Sequence, residues 1–475
     1  MFHRLRRVFR VNCKQHKTRT NTFYVFCIPT MKIAILSIGS EGDIRPYIAL
    51  GQELHRLGNQ VHLVTHESAQ ERIQAAGLQF ADIGENPVVN LKTSELGKAV
   101  DEAGTFSKMN AVTVWFQALL EDWFQKGKDA LTTIQPDFCV LGTFPMNIHS
   151  TLVQDVLKIP MCQIHLAPFI PTTEHAPPVG FGNAETWFTC TAKLKWTMVL
   201  SAGFNMLYAA PLAKCYAQYD IKPTSESITE NWKNTPAVLG YSDILSPRPK
   251  DYDEDLVSIV GPLMDSSSSS DIDSFLDTKD GQTLQNYFDK APRNNRKPIV
   301  FVGFGSMWET ITDSERKTLW KAIMGSSKLL STDTYGFIVQ CDKATLPEAT
   351  LPSNVVAISS APHDWLFPQV DIVACHGGAG TTHKALLHGC ATVVCPVKPS
   401  DSDQPFWGGC VARAGLGVDG PCATRLTESS LATAIQSTLS DPSMNTRVQA
   451  ASDKMKGQDG ITNAAKAILK FAAYK

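Results

Sequence analysis

The residues Cys375-His376-Gly377-Gly378-Ala379-Gly380-Thr381-Thr382 close an apolar run and open a stretch with helical spacing that ends at His388-Gly389. Three glycines let the backbone approach a ligand closely. A new helix offers unpaired N–H groups and the positive end of its dipole. The hydroxyls of Thr381 and Thr382 suit a helix cap or a phosphate oxygen, and His376 adds a donor. Together these read as a phosphate cradle. The GK[ST] ending of a P-loop is missing. The plainer reading is a tight strand-to-helix turn with a structural histidine.

Two further clusters carry carboxylates. Asp401-Ser402-Asp403-Gln404-Pro405-Phe406-Trp407 follows the next apolar run, so it neighbours the cradle. Asp403 and Gln404 suit vicinal sugar hydroxyls, or Asp403 caps a helix that carries Pro405 in its first turn. Gly39-Ser40-Glu41-Gly42-Asp43-Ile44-Arg45-Pro46 follows the first apolar run. Here Asp43 reads as a general base facing a cleft or as the N-cap of the following helix. The G-x-x-G spacing is half a dinucleotide fingerprint, and Glu67 closes the next strand as a ribose-binding acid would. A nicotinamide-dependent oxidoreductase is therefore a remote alternative, disfavoured because G-x-G-x-x-G is absent.

The elements that must hold these clusters alternate. Lys32–Ile38 and Gln60–Thr65 read as strands around a helix over Pro46–Leu57, whose apolar face is Leu50, Leu54 and Leu57 and whose stop is Gly58. Asp137–Gly142 and Met161–Leu166 continue the series, and residues 180–235 read as helices. A second series runs through Pro298–Phe304, Gly336–Gln340, Val355–Ser359, Asp371–Cys375 and Ala391–Pro396. Repeated βα units imply parallel sheets covered on both faces, with ligands at the carboxyl ends of the strands. The serine run Ser266–Ser270 reads as a solvated linker between two such domains.

The 475 residues exceed one ordinary core. Hydrophobic residues make up 43% and charged residues 19%, a globular balance, and no apolar run reaches membrane-spanning length. Residues 1–30 hold seven Lys/Arg and no acid. The remainder has 37 basic against 46 acidic residues, a net charge of −9 that argues against a nucleic-acid-binding protein. The twelve cysteines lack a CxxC pair, as expected of small buried hydrophobes in a reducing compartment rather than zinc ligands.

Gly39–Pro46, Ala361-Pro-His-Asp-Trp-Leu-Phe-Pro368, His376–Thr382 and Asp403-Gln-Pro-Phe-Trp-Gly408 resemble, in order and spacing, the signature segments of family 1 glycosyltransferases. The likeness is strongest to the sterol 3-beta-glucosyltransferase branch and spans residues 31 to about 420. It implies an α/β chain of the GT-B fold, two doubly wound Rossmann-like domains facing across a cleft. The corresponding division is a basic leader over 1–30, an acceptor domain over 31–262 and a linker over 263–296. A nucleotide-sugar domain over 297–455 and a C-terminal helix over 456–475, packing back on the N-domain, complete it.

The resemblance also implies an inverting transfer of a sugar, glucose by family habit, from a UDP-sugar co-substrate. No catalytic metal and no permanently bound cofactor are implied. By the same likeness His376, Gly378, Gly380 and Thr381 contact the diphosphate, with Ser306 opposite. Ser360 and His363 border the uracil and ribose, Asp403 and Gln404 hold the sugar, and Asp43 stands in the base position. Cys375 in place of a second histidine, and the long segment Val397–Ser402, depart from the pattern. The partner is a small lipophilic acceptor such as a sterol, phenolic or hydroxylated lipid. Phe144, Met146, His149, Phe169, Trp187, Phe188, Trp196 and Phe204 are candidate walls. If Asp43 is not the base, His149 or His165 is next in line. The expected location is the cytoplasm, with peripheral membrane contact compatible with such an acceptor. A catalytically silent binder on the same fold is the alternative.

Overall fold

The computed structural model describes residues 30–103, 107–180, 192–265, 268–290, 297–330, 335–341, 351–397 and 402–473. Residues 1–29 of the basic leader, Trp187, Phe188, Ser266, Ser267 and Asp401 lie outside the described residues. The first sheet is built from β1 (Lys32–Leu36), β2 (Gln60–Thr65), β3 (Gln79–Asp82), β4 (Phe138–Leu141), β5 (Met161–His165), β6 (Ala237–Leu239) and β7 (Val257–Ile259). Its order is β3-β2-β1-β4-β5-β6-β7, all parallel. The second contains β8 (Ile299–Gly303), β9 (Gly336–Gln340), β10 (Val355–Ile358), β11 (Ile372–Cys375), β12 (Ala391–Val394) and β13 (Gly417–Asp419). Its order is β10-β9-β8-β11-β12-β13, again all parallel.

Both orders reverse direction once, beside the first strand of each sheet. The crevice at that reversal, at the carboxyl ends of the strands, is where an open α/β sheet takes a ligand. In the first sheet it opens between β1 and β4, and in the second between β8 and β11. The segments Gly39–Pro46 and His376–Thr382 leave β1 and β11, so topology puts each of them at a crevice.

The helices that matter for the site are α1 (Glu41–Arg56), α2 (Lys108–Ile134), α3 (Ser269–Leu276), α4 (Lys279–Lys290), α5 (Ala379–Leu387), α6 (Gln404–Arg413) and α7 (Gly460–Ala473). Helix α1 begins five residues before the proline expected to open it, and Pro46 lies inside it. The reason is local: Ser40 is the N-cap, and its N–H and hydroxyl both donate to Asp43 Oδ2, at 2.8 and 2.9 Å. Such a cap starts the helix early enough to absorb one backbone hydrogen bond missing at Pro46. Leu57, expected on the buried face, is the C-cap and is exposed; Ile44, Tyr47, Leu50 and Leu54 form that face. The stretch read as a linker contains α3 and α4, with Ser268 as the N-cap of α3.

The chain ends by returning to the first sheet. Ala464, Ala465, Ile468 and Phe471 of α7 pack in one cluster with Ile33, Ile35, Leu50 and Leu54. Phe406 and Trp407 of α6 share another with Leu239 and Tyr241 of the first half. Apolar burial of this kind, at about 25 cal/mol per Å², joins the halves into one body. Among the described residues no helix is long and apolar enough to cross a membrane.

Candidate functional site

The loop after β1 is shaped around Asp43. Gly39 takes φ +150°, and a Cβ there would strike the Asp43 carboxylate, so only glycine fits. Asp43 is the third residue of α1, not its N-cap. Its Oδ2 accepts both Ser40 hydrogen bonds, and among the described residues Oδ1 accepts none. Burial lifts the Asp43 carboxyl above the ordinary range, and the Ser40 hydrogen bonds only partly oppose this.

The loop after β11 carries the cradle. Gly377 has φ +88°, and a Cβ would lie 2.5 Å from Val394 Cγ1 and 2.9 Å from the Gln404 carbonyl oxygen. The glycine thereby lets the turn pass under α6. Gly378 is the N-cap of α5, so the N–H groups of the first turn point out of the loop. Gly380 is exposed, with nothing within 4 Å of a Cβ built on it. The His376 ring lies over Gly378, its Nε2 2.5 Å from where a Cβ would be. Burial holds its pKa down at about 4, so the ring is neutral at ordinary pH, and its buried Nδ1 has no hydrogen-bond partner among the described residues.

The other expected contacts divide. Ser306 follows β8 next to Gly305, whose Cβ position is 3.6 Å from His376 Cε1, so the β8 and β11 loops face each other. Thr381 is half-buried, whereas Thr382 is fully buried and faces the core rather than a ligand. Ser360 is exposed beyond β10. His363 is stacked on Phe367 with ring centroids 4.3 Å apart. Burial, with the Lys384 and Arg45 charges, holds its pKa at about 4. Arg45 belongs to α1, so its field crosses from the first half to the second.

Asp403 stands at the N-cap position of α6 without capping it. Its Oδ2 instead accepts from Trp407 Nε1 at 2.8 Å. Burial raises its pKa to about 6; the Trp407 hydrogen bond opposes this, and the charge of Asp43 adds to it. The two carboxyls therefore feel each other across the junction of the halves. Gln404 is buried, and its Oε1 accepts from the Val397 N–H at 2.8 Å, which fixes the loop after β12.

Both alternative bases are corrected. His149 is buried, stacked on Phe124, with Nε2 at 3.1 Å from the Trp123 carbonyl oxygen. His165 is buried, stacked on Trp232, and bonded to Thr143 Oγ1 and Gln163 Oε1 at 3.0 and 2.9 Å. Burial holds their pKa values at about 4 and about 3. Of the candidate walls, Met146, His149, Trp196 and Phe204 are core, while Phe144 and Phe169 are half-buried.

Two histidines escaped the sequence reading. His383 of α5 is buried, its Nδ1 2.7 Å from the Ala379 carbonyl oxygen, while its Nε2 accepts from the Ser242 N–H at 3.1 Å. It also meets Trp407 edge-on at 4.8 Å. His66, just past β2, accepts from the Gly39 N–H. Each lies beside a residue that drew attention, Thr382 and Glu67, but neither spacing nor type marks it.

Residues 33–126 match the glycosyltransferase family 28 N-terminal domain, and residues 330–470 match the erythromycin biosynthesis protein CIII-like C-terminal domain. The calicheamicin glycosyltransferase CalG4 superposes with a TM-score of 0.66 at 16% identity, covering 94% of this chain and 99% of that one. VinC, a glycosyltransferase solved in complex with dTDP, superposes at 0.58 with 14% identity, covering 94% and 100%. The chain has the GT-B fold of glycosyltransferases, with one domain match in each half. Within them it is a distant homologue of sterol 3-beta-glucosyltransferases. It is 27% identical to that of Saccharomyces cerevisiae over 93% of this chain, and 26% identical to one of Arabidopsis thaliana over 92%. It spans 35% of the yeast relative's length and 67% of the plant one's.

Proposed function

We propose that this glycosyltransferase moves a sugar, glucose by homology, from a UDP-sugar to a hydroxyl of a lipophilic acceptor of the sterol kind, with inversion. The observation that carries the reading is that the charge of Asp43, from one half, reaches the buried Asp403 carboxyl of the other, with the Gly378-capped start of α5 as the candidate phosphate site. In this reading the diphosphate sits on the first turn of α5, flanked by His376, Gly378, Gly380, Thr381 and Ser306. Ser360 and His363 border the nucleoside, while Asp403 and Gln404 hold the sugar.

The acceptor oxygen attacks the anomeric carbon as its proton passes to Asp43 Oδ1, the oxygen not engaged by Ser40. The bond from the anomeric carbon to the diphosphate breaks on the opposite face, and UDP leaves with the electron pair. The growing charge falls on the N–H groups and dipole of α5, fixed in place before reaction, which is the arrangement that lowers such barriers most. His376, being neutral, contributes a hydrogen bond rather than a charge. The sterol acceptor rests on the relatives' names, and the nucleotide on the same homology, since VinC was solved with dTDP.

The test is turnover of a panel of UDP- and dTDP-sugars against cholesterol and phenolic acceptors, products read by mass and anomeric configuration by NMR. Asp43→Asn keeps the shape and an oxygen for the Ser40 hydrogen bonds. It should lower kcat by roughly 10²–10⁴-fold with UDP affinity unchanged. Full activity in that variant removes the base assignment, and nucleotide binding without any transfer makes the chain a binder.

A further inference from the structure

We infer that His66 is a positioning residue for the transfer, a neutral strut that sets where the Asp43 carboxylate stands. The inference rests on the reading of Asp43 as the base. His66 is completely buried at the carboxyl end of β2, beside β1. Its Nε2 lies 3.2 Å from the Gly39 nitrogen and its Nδ1 lies 2.8 Å from the Gly84 carbonyl oxygen. A carbonyl only accepts and a backbone N–H only donates. The two partners therefore fix one tautomer, protonated at Nδ1 and bare at Nε2.

Gly39 is the residue whose missing Cβ makes room for the Asp43 carboxylate, and its conformation is one that other residues avoid. The His66 acceptor holds that peptide in place. The next N–H, of Ser40, donates to Asp43 Oδ2. The imidazole thus grips one end of a three-link chain, Gly39 to Ser40 to Asp43, that ends on the base.

The other end of the strut is anchored. The Gly84 N–H donates to Asp82 Oδ1 at 2.9 Å, and Lys126 Nζ of α2 donates to Asp82 Oδ2 at 2.8 Å. Trp123 Nε1, one turn earlier on α2, donates to the Glu85 carbonyl oxygen at 2.9 Å. The turn after β3 is thus clamped to a 27-residue helix, and His66 transmits its position to the β1 loop. The two ring nitrogens of His66 thus bridge the loop after β1 and the turn after β3.

Substitution separates the two ring nitrogens. A glutamine in place of His66 would present an amide oxygen where Nε2 stands, whereas an asparagine reaches only the Nδ1 position. With UDP-glucose and cholesterol as substrates, His66→Gln should keep kcat within about threefold of the parent. His66→Asn should lower it at least tenfold, with KM for UDP-glucose and Kd for UDP within twofold. In an Asp43→Asn background, His66→Asn should cost no more than about twofold further, because the strut acts through Asp43. Equal loss in the Gln and Asn variants, a loss that appears in KM rather than kcat, or a full tenfold loss on top of Asp43→Asn would each overturn the proposal. If His66→Asn fails to fold, the Gln variant decides alone: a folded protein with kcat down tenfold refutes the strut. Normal turnover by Asp43→Asn instead refutes the base assignment, and that result is read from the single variant, with His66 left in place.

Discussion

Asp403→Asn tests the electrostatics of the junction between the halves without any substrate. The native carboxyl has its pKa raised from 3.8 to about 6 by burial and by the charge of Asp43. A folded state that holds a proton more tightly than the unfolded one is favoured at low pH and loses that advantage as pH rises. The contribution is fully present below 3.8 and gone above about 6. The full swing is about 3 kcal/mol at 1.36 kcal/mol per unit of pKa. Asparagine is isosteric, stays neutral, and its oxygen can still accept from Trp407 Nε1. The variant should therefore be more stable than the parent at pH 7.5 by up to about 3 kcal/mol. At an unfolding entropy of about 2 cal/mol/K per residue, that is a rise in Tm of roughly 3 °C. Thermal unfolding at pH 7.5, 6.0 and 4.5 measures it: the gap should shrink below pH 6 and fall to roughly a third of its full size at pH 4.5. An Asn variant no more stable than the parent at pH 7.5, or a gap as large at pH 4.5 as at pH 7.5, would mean that the carboxyl is not held in its site against its own charge. The same substitution should weaken the donor sugar's hold while leaving UDP affinity intact, a trade of stability for function common at active sites.

Gly380→Ala should stabilise α5 by up to about 1 kcal/mol, because a methyl there meets nothing in the protein. It should weaken UDP binding at least tenfold by calorimetry, because that open space is where the diphosphate is proposed to sit; unchanged affinity would move the phosphate elsewhere. His383→Ala leaves the buried Ser242 N–H unpaired and a cavity against Trp407. It should cost roughly 2–4 kcal/mol, and a loss under 1 kcal/mol in denaturant titration would deny it a role in joining the halves. The Asp43 carboxyl is raised, and the base works deprotonated, so kcat should fall as pH drops through a value above the ordinary carboxylate range. A pH–rate profile checks this, and an acid limb inside the ordinary carboxylate range would mean that burial does not raise the Asp43 carboxyl.

The amino-acid sequence by itself determined the class of fold and where its ligand loops fall. Alternating apolar runs and helical faces dictate parallel sheets, and the glycines at 39, 377, 378 and 380 mark where backbone must turn tightly or a ligand must come close. These signals are local, set by the period of side chains along a strand or helix and by the conformations open to glycine. The strands Gln79–Asp82, Ala237–Leu239 and Gly417–Asp419, and the long helix Lys108–Ile134, carried no such clear signal. Strands of three or four residues are too short to show a period, and they exist because a neighbouring strand offers them hydrogen bonds.

Which side chains share a site was decided only by tertiary structure. His149 and His165 stood next in line to Asp43, yet packing against Phe124 and Trp232 places both in the core. Thr381 and Thr382 are adjacent, and the turn of α5 sends one to the mouth of the cradle and the other inward. Asp403 reads in sequence as a cap or a sugar ligand, and becomes a raised carboxyl because burial and the charge of Asp43 outweigh its Trp407 hydrogen bond. The roles of His66 and His383 depend on partners 27 and 141 residues away along the chain. Burial and electrostatic coupling depend on distance through space, and a sequence states only distance along the chain.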